Sequence, residues 1–386
     1  MIATTPLLQR IFCPCILLML IFLPCYAAAA PIIPAAPTIA ADSYLLIDFH
    51  SGQSLSEQNA DNRLGPASLT KMMTTYVLFQ ELKENSIALD DLVTISKKAW
   101  KMKGSRTFVE VGKKVSVETL LMGLIVQSGN DATVALAEHV AGSEEVFTAV
   151  MNQRAQELGM TNTHFVNSTG MPHKDHFSTA RDLSILAQAT IKQFPEFYKW
   201  YKIKEYKHNN ISQLNRNTLL WRDATVDGLK TGHTEAAGYG LVASAQRDNM
   251  RLITVVMGAK TKNTRAAESQ KLLNYGFRFF ETHHLYGQRE AIQQVRIWKG
   301  STEQLPIGIV DTLYVTIPKG TYDQLKPQIS LPITLIAPIS SDKELGTLQI
   351  ELAGELLAHR PLIALQTIEE GGMISRLIDE MMLMFE

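Results

Sequence analysis

The spacing of apolar residues changes character along this chain, and that change narrows the possible folds more than any other feature. Over residues 116–198 the apolar residues recur mainly at helical spacing. From Val226 the pattern turns to strands, and beyond residue 284 short alternating strands follow one another. A chain of 386 residues is too long for one ordinary domain. We therefore predict an α+β domain with a helical lobe and a mixed sheet, followed by a small all-β domain.

Local patterns place the main elements of the first domain. A short apolar run at residues 44–49, followed by a turn, predicts an opening β-hairpin. A helix is expected to begin at Ser68 and to pack by its apolar face. Strands are predicted within residues 227–259, and a closing helix over 264–280. His283 and His284, which follow it, would point in different directions on a helix and would not form a metal pair.

The first 29 residues have the composition of a secretory signal peptide. Arg10 precedes an apolar run that is interrupted by Pro14 and closed by four alanines at 27–30. The run is shorter than the roughly 20 residues of a membrane span, so a retained anchor is the weaker interpretation. All three cysteines lie in this segment: Cys13, Cys15 and Cys25. We expect an exported mature protein without a thiol, whose covalent chemistry must use a hydroxyl, a lysine or a carboxylate.

The last 15 residues form an amphipathic pattern. One face of the predicted helix over 372–386 carries Met373, Ile374, Leu377, Ile378, Met381, Met384 and Phe385. The other carries Arg376, Asp379, Glu380 and Glu386. About 15 residues at 1.5 Å each span roughly 22 Å, which is less than the roughly 30 Å core of a bilayer. This helix can lie in a membrane surface, or it can dock on its own β domain.

Composition and charge exclude several classes of protein. With 46% hydrophobic and 19% charged residues the chain is globular rather than disordered. Thirty-seven basic residues balance 38 acidic ones, giving a formal net charge of −1. No overall basic field is available to hold nucleic acid, so we expect no nucleic-acid partner.

Three short motifs occur in an order that points to serine chemistry. They are Ser68-Leu69-Thr70-Lys71, Ser128-Gly129-Asn130 and Lys230-Thr231-Gly232. Each motif alone has a plain structural explanation: a helix N-cap with a surface lysine, a turn between helices, and an exposed hairpin strand. Their order and setting match the signature of enzymes that are acylated by penicillin on a serine.

The residue types explain how such a site would work. Positions i and i+3 share a helix face, so the Lys71 amine can reach the Ser68 hydroxyl. Burial and a second cation, Lys230, are expected to lower the pKa of Lys71 so that it acts as a base. Ser128 can relay a proton to a leaving nitrogen, and the Asn130 amide can hold Lys71 or the substrate carbonyl. Gly232 would leave room for a peptide-like ligand along the strand.

Several longer stretches resemble a known family over residues 40–370. The matching segments are residues 66–73, 127–132, 215–217, 227–234 with 237–239, and 276–280. On these the chain resembles the low-molecular-mass penicillin-binding proteins that are serine-type D-alanyl-D-alanine carboxypeptidases (DD-peptidases) of bacterial cell walls. The resemblance implies a β-lactamase-like catalytic domain over 38–284 with an antiparallel sheet and a helical lobe. It also implies a sandwich-like all-β domain over 285–370 and a membrane-associating helix over 372–386.

The resemblance also implies roles for individual residues. Ser68 would be acylated by the penultimate D-Ala of peptidoglycan pentapeptide stems, and β-lactams would be covalent inhibitors. Lys71 would be the base, and the backbone N–H groups of Ser68 and His233 would form the oxyanion hole. Thr231, Arg216 and Arg265 would hold the terminal carboxylate. No cofactor and no metal are implied, and the protein would be periplasmic, attached peripherally to the outer face of the cytoplasmic membrane.

Three other functions remain to be weighed. A class A β-lactamase needs an added Glu to activate the deacylating water, and residues 162–173 contain no acid. A zinc carboxypeptidase is suggested by His173, Asp175 and His176, but no third ligand follows at a recognisable spacing. The chain could also be a catalytically silent wall-binding protein, which an intact nucleophile, base and relay disfavour.

Overall fold

The computed structural model describes residues 33–385 of the chain. The predicted signal peptide, with Cys13, Cys15 and Cys25, lies outside the described residues. The described part forms the two domains expected from the change in apolar pattern.

A five-stranded antiparallel sheet is the centre of the first domain, in the strand order β2-β1-β9-β8-β7. The strands of this domain are β1 (Ser43–Asp48), β2 (Ser54–Gln58), β3 (Leu92–Thr94), β4 (Lys114–Ser116), β5 (Glu205–His208), β6 (Ile211–Leu214), β7 (Val226–Thr234), β8 (Gly238–Arg247) and β9 (Met250–Ala259). The predicted hairpin, β1 with β2, and the three later strands are confirmed. Strand β7 is at the edge of the sheet, which leaves one side of it free to face a ligand.

Helices cover both faces of this sheet. They are α1 (Lys71–Lys83), α2 (Lys97–Trp100), α3 (Val117–Met122), α4 (Asn130–Ala141), α5 (Glu144–Glu157), α6 (Ala180–Gln193), α7 (Pro195–Tyr198), α8 (Leu219–Arg222) and α9 (Lys262–Phe279). Helix α9 packs on one face with Leu272 and Leu273, and the helical lobe packs on the other around α1. The helical periodicity of residues 116–198 is thus confirmed.

Helix α1 is more deeply buried than its sequence predicts. We expected one apolar face, yet every residue from Lys71 to Phe79 is buried. Two threonines at its centre satisfy their hydroxyl groups inside the lobe: Thr74 donates to the Ser168 carbonyl at 2.7 Å, and Thr75 bonds to Tyr201. The helix that follows the candidate nucleophile is therefore fixed on all sides.

The second domain is a small β-sandwich. Its elements are β10 (Phe280–Tyr286), β11 (Gln293–Arg296), β12 (Gln304–Gly308), β13 (Leu313–Pro318), β14 (Leu325–Ser330), β15 (Glu344–Leu352), β16 (Glu355–Ala364) and a terminal helix, α10 (Met373–Leu383). Five strands form a sheet in the order β11-β12-β16-β15-β14, while β10 pairs with β13. Val315 and Ile317 of β13 share one core with Leu348 and Leu362 of the larger sheet.

One expectation near the domain junction is wrong. His283 and His284 lie on strand β10 rather than on a helix, because helix α9 ends at Phe279 and the chain then pairs with β13. Residues 280–286 therefore form a strand that spans the boundary predicted between residues 284 and 285. Thr282 of this strand also donates to the Asp48 carboxylate at 2.6 Å, which joins the two domains.

The terminal helix docks on the β domain by its polar side. The backbone N–H of Lys299 donates to Asp379, and the Lys299 amine pairs with Glu380. The opposite side is open to solvent, with Ile374 78% and Leu377 64% exposed. Among residues 33–385, no helix combines the length and the apolar character needed to cross a bilayer.

Candidate active site

The predicted nucleophile and base lie together where a 3₁₀ turn, Ala67–Thr70, leads into helix α1. Ser68 is half-buried, whereas Lys71, the first residue of α1, is completely buried. The Lys71 Nζ atom lies 3.1 Å from Ser68 Oγ, which confirms the predicted reach of one helical turn.

Two further oxygens hold the Lys71 amine. Its Nζ donates to Asn130 Oδ1 at 2.7 Å and to the Thr169 carbonyl at 2.6 Å. A neutral lysine has two hydrogens and one lone pair, so these two bonds use both hydrogens and leave the lone pair for the Ser68 hydroxyl. The geometry suits an amine that accepts a proton from Ser68.

Burial is the main cause that lowers the pKa of Lys71, to about 7. The positive charge of Arg216 lowers it further, while the carboxylates of Asp131 and Glu144 oppose the shift. We predicted that Lys230 would be the second cation that lowers this pKa. That prediction is wrong, because the cation with this effect is Arg216. Burial holds the pKa of Lys230 well below its usual range, and the charge of Lys71 contributes next.

Ser128 reaches the site because the backbone turns sharply beside it. It follows a π-helical turn, Gly123–Gln127, and adopts a left-handed conformation with φ of 65°. The Lys230 amine donates to Ser128 Oγ at 2.9 Å. The following residue, Gly129, must be a glycine, because a Cβ atom at this position would lie 2.0 Å from the hydroxyl oxygen of buried Thr107. The second and third motifs thus meet through Ser128 and Lys230.

Gly232 serves a different purpose from the one predicted. We expected it to leave room for a ligand, but a Cβ atom would lie 2.8 Å from the Pro66 carbonyl oxygen and 3.1 Å from Leu69. Its missing side chain lets strand β7 approach the turn that carries Ser68. This contact sets the distance between the nucleophile and the strand.

These groups surround one cavity of about 670 Å³. Its walls include eight of the ten predicted site residues: Ser68, Ser128, Asn130, Arg216, Thr231, Gly232, His233 and Arg265. The other two, Lys71 and Lys230, are buried behind the wall and reach it through their hydrogen bonds to Ser68 and Ser128. The structure therefore gathers all ten residues around a single cleft.

Two arginines give the end of this cavity near Thr231 a positive charge. Arg265 is buried on helix α9, donates to the Gly232 carbonyl at 3.0 Å and lies over the ring of Tyr239. Burial lowers the pKa of Arg265 to about 10, so the guanidinium stays charged at neutral pH. Arg216 is exposed to solvent in the cavity wall. An anionic group in this cavity would find one cation held in place, Arg265, and a second, solvent-exposed cation, Arg216.

Sequence reasoning missed the loop that supplies the Thr169 carbonyl. The side-chain oxygen of Asn167 accepts hydrogen bonds from the backbone N–H groups of Thr169, Gly170 and Met171, at 2.7–3.2 Å. Glu144 holds the neighbouring residue by accepting from the backbone N–H and hydroxyl of Ser168. An Asn three residues before a Gly was the available signal, because this spacing favours a turn capped by the Asn side chain.

The loop over residues 101–113 is attached to the second motif. The Asp131 carboxylate accepts from the backbone N–H groups of Thr107 and Phe108, at 2.7 and 2.9 Å. Asn130 adds bonds from its backbone N–H to the Ser105 carbonyl and from its amide to the Lys103 carbonyl. The side-chain amide of Asn130 therefore holds both groups: its nitrogen donates to this loop, and its oxygen accepts from Lys71.

The residues that suggested zinc have structural partners. Both ring nitrogens of buried His176 are occupied, one with the Thr70 hydroxyl at 2.8 Å and one with the Val166 N–H at 3.1 Å. Burial lowers the pKa of His176 to about 4, which keeps the ring neutral. His173 and Asp175 are exposed beside it, and residues 33–385 contain no cluster of three or more side chains suited to a metal.

Comparison with known proteins decides the family. The family model described as D-alanyl-D-alanine carboxypeptidase matches residues 30–261, and the model of the penicillin-binding protein 5 C-terminal domain matches residues 280–370. The chain belongs to the D-alanyl-D-alanine carboxypeptidase family, peptidase family S11. The second match coincides with the β-sandwich and includes strand β10.

Relatives within the S11 family resemble the chain over most of its length. The D-alanyl-D-alanine carboxypeptidase DacA of Escherichia coli is 45% identical over 92% of this chain and 90% of its own length. The crystal structure of penicillin-binding protein 5 from Haemophilus influenzae is 41% identical, covers 88% of this chain and all of its own, and has a TM-score of 0.85. The structure of a mutant of the Streptomyces K15 DD-transpeptidase is 32% identical, covers 63% of this chain and 99% of its own, and has a TM-score of 0.59. The predicted fold class and recognition are confirmed.

Proposed function

We propose that this protein is a serine-type D-Ala-D-Ala carboxypeptidase that removes the terminal D-alanine from peptidoglycan pentapeptide stems and binds penicillin covalently. Membership of the S11 family supports this activity. The observation that carries the mechanism is the buried Lys71 amine, with a pKa of about 7, at 3.1 Å from Ser68 Oγ. A base whose pKa lies near the operating pH can take a proton from a serine hydroxyl and give it back.

In the acylation step, the Ser68 hydroxyl gives its proton to Lys71 as its oxygen attacks the carbonyl of the penultimate D-Ala. Asn130 and the Thr169 carbonyl keep the lone pair of Lys71 directed at Ser68. The negative oxygen of the tetrahedral intermediate accepts hydrogen bonds from the backbone N–H groups of Ser68 and His233. Each donor of this kind stabilises the transition state by about 3–4 kcal/mol.

The peptide bond then breaks, and the leaving nitrogen needs a proton. Ser128 supplies it, because its hydroxyl lies in the cavity wall and receives a hydrogen bond from Lys230 at 2.9 Å. Arg216, Arg265 and the Thr231 hydroxyl hold the terminal carboxylate, which makes the enzyme an exopeptidase. The proton that Lys71 took from Ser68 replaces the one that Ser128 gave up, so Lys71 is neutral again when free D-Ala departs. Lys71 then takes a proton from the water that attacks the ester on Ser68, and it returns this proton to Ser68 as the ester breaks.

Penicillin follows the same path with one difference. Attack by Ser68 opens the lactam ring, so the leaving nitrogen stays attached to the acyl group and remains in the cavity. A class A β-lactamase removes such an adduct with a water activated by an added Glu. Residues 167–171, which line or support the cavity here, contain no acid. We therefore expect a lasting penicillin adduct rather than rapid turnover.

Release of D-Ala from a synthetic stem pentapeptide, measured with the purified mature protein, tests this function. Wild-type protein should release one D-Ala per peptide, and both Ser68→Ala and Lys71→Ala should abolish the reaction. Ser86→Ala and Lys326→Ala change exposed residues outside the cavity lining and should keep full activity. No release by the wild type would favour the wall-binding alternative, and normal activity of Lys71→Ala would refute the assigned base.

We further propose that the protein is exported, with residues 1–29 removed, and that helix α10 attaches it to the outer face of the cytoplasmic membrane. The helix holds its acidic residues against the β domain and presents its apolar face outward, with Phe385 91% exposed beyond its end. Because Arg376 is the only base on the helix, binding would depend on apolar burial more than on charge.

Flotation with lipid vesicles tests the attachment. The mature chain should bind neutral and anionic vesicles about equally, and Ile374→Asp with Leu377→Asp should remove binding without reducing D-Ala release. Asp323→Asn, which changes an exposed acidic residue of the β domain outside α10, is the control. No binding by the wild type would refute the attachment, and an intact Met1 in exported protein would refute removal of the signal peptide.

A further inference from the structure

Arg216 lies between two buried asparagines, Asn215 and Asn217, in the segment that joins strand β6 to helix α8. Arg216 and Thr218 line the catalytic cavity, whereas Asn217 between them does not. Within residues 33–385 the Arg216 guanidinium has no hydrogen-bond or ion-pair partner, unlike that of Arg265, which donates to a backbone carbonyl. The position of the Arg216 side chain therefore depends on the backbone that carries it.

The side chain of Asn217 joins this segment to strand β7. Its Nδ2 atom donates to the Gly228 carbonyl at 2.9 Å, and its Oδ1 atom accepts from the Leu219 backbone N–H at 3.2 Å. Gly228 lies on β7, two residues before Lys230. Both ends of the buried amide are thus used, and one of them holds the strand that carries the second amine of the site.

Asn215 joins the same segment to the helical lobe. Its Oδ1 atom accepts from the Asn217 backbone N–H at 2.9 Å, and its Nδ2 atom donates to the Ile203 carbonyl at 2.9 Å. Tyr201, two residues before Ile203, bonds through its hydroxyl to Thr75 of helix α1. The backbone on either side of Arg216 is therefore connected to both α1 and β7.

The charge of Arg216 acts on both amines of the site. Burial is the largest cause of the low pKa of Lys71 and of Lys230, and the charge of Arg216 lowers both values further. The charged groups that oppose this effect at Lys71 are Asp131 and Glu144. Because a Coulomb energy falls with distance, a displaced Arg216 would let the pKa of Lys71 rise.

We propose that Asn217 is a positioning residue that holds Arg216 at the wall of the catalytic cavity by bonding its segment to strand β7. Asn217 does not line the cavity, so it acts through Arg216 on the substrate carboxylate and on Lys71. The proposal rests on the carboxypeptidase function above and adds to it a residue outside the three motifs.

Two measurements report on the position of Arg216: the pH midpoint of the reaction with a fluorescent penicillin, and KM for the stem pentapeptide. Arg216→Ala should raise the midpoint by about half a pH unit, because loss of a nearby positive charge favours the protonated amine of Lys71. It should also raise KM about five- to tenfold, because the terminal carboxylate loses a charged partner. Asn217→Ala should move both values in the same direction, by at least half as much on a logarithmic scale.

The double variant separates positioning of Arg216 from a general loss of structure. If Asn217 acts through Arg216, Asn217→Ala should add nothing to either value in the Arg216→Ala background. An effect of Asn217→Ala that persists undiminished in that background would overturn the proposal. Wild-type values of the midpoint and KM in Asn217→Ala alone would overturn it as well.

Two further variants complete the experiment. Gln188→Ala is the matched control: it also removes a side-chain amide that donates to a backbone carbonyl, that of Phe49, outside the cavity lining, and should change neither value. Asn217→Ser keeps an oxygen that can accept from the Leu219 N–H but loses the bond to Gly228. It should shift both values as Asn217→Ala does, and it answers the question if Asn217→Ala does not fold.

The remaining outcomes are distinct. Changes in Gln188→Ala as large as those in Asn217→Ala would overturn the positioning role, because any lost amide would then have the same effect. A wild type that reacts with penicillin but releases no D-Ala would refute the carboxypeptidase, and the penicillin midpoints would still decide the role of Asn217.

Discussion

Raising the pH from 6 to 8 should speed the acylation of Ser68 about tenfold. Burial disfavours the charged form of Lys71 and lowers its pKa to about 7, so the amine loses its proton within this interval. With that pKa the neutral fraction is about one-tenth at pH 6 and about nine-tenths at pH 8. Only the neutral amine can take the proton of Ser68, so the rate follows this fraction.

The second-order rate of reaction with a fluorescent penicillin, followed by stopped flow from pH 5.5 to 9, measures this dependence. Asn130→Asp provides a directional check, since a carboxylate beside the Lys71 amine would raise its pKa and shift the profile to higher pH. Lys113→Ala, which changes an exposed lysine, should keep the wild-type midpoint. A rate that is flat between pH 6 and 8, or one that rises only above pH 9, would refute the role of burial.

Three further substitutions test separate parts of the structure. Asn167→Ala removes the oxygen that holds three backbone N–H groups of the loop, so kcat for D-Ala release should fall about tenfold with little change in KM. An unchanged kcat would contradict the positioning role of Asn167. Arg265→Ala should lower kcat/KM at least tenfold, mainly through KM, with partial recovery in Arg265→Lys; an effect on kcat alone would contradict carboxylate binding. Phe79→Ala, in the core around α1, should reduce the free energy of unfolding by about 3–5 kcal/mol in urea titrations; a loss below about 1 kcal/mol would mean that this core is loosely packed.

The sequence predicted the parts of the site that depend on short-range spacing. A serine and a lysine three residues apart must share a helix face, and the structure places Ser68 and Lys71 3.1 Å apart. The order of the three motifs predicted that Ser128 and Lys230, separated by 102 residues, would meet. Helical periodicity likewise located helices α4, α5 and α6, whose apolar residues enter one core.

The parts that were missed depend on backbone atoms and on distances between segments. The Thr169 carbonyl holds Lys71, but every residue has a carbonyl, so residue type gives no signal for it. The charge of Arg216 lowers the pKa of Lys71 through space. The motifs do not give the distance of each cation from Lys71, so they could not show that Arg216 has a larger effect on this pKa than Lys230.

Local packing explains two other corrections. Gly232 is required by the Pro66 carbonyl, which is a contact between distant segments that only the fold reveals. His283 and His284 have no strong intrinsic preference for helix or strand, and they adopt a strand because this segment pairs with β13.

The most direct test of the central claim is mass spectrometry of the intact protein and its peptides after reaction with penicillin. The prediction is a single adduct of the mass of penicillin, formed once per molecule and located on Ser68, and no adduct in Ser68→Ala. An adduct on another residue, or labelling that persists in Ser68→Ala, would contradict the assignment of Ser68 as the nucleophile that Lys71 activates.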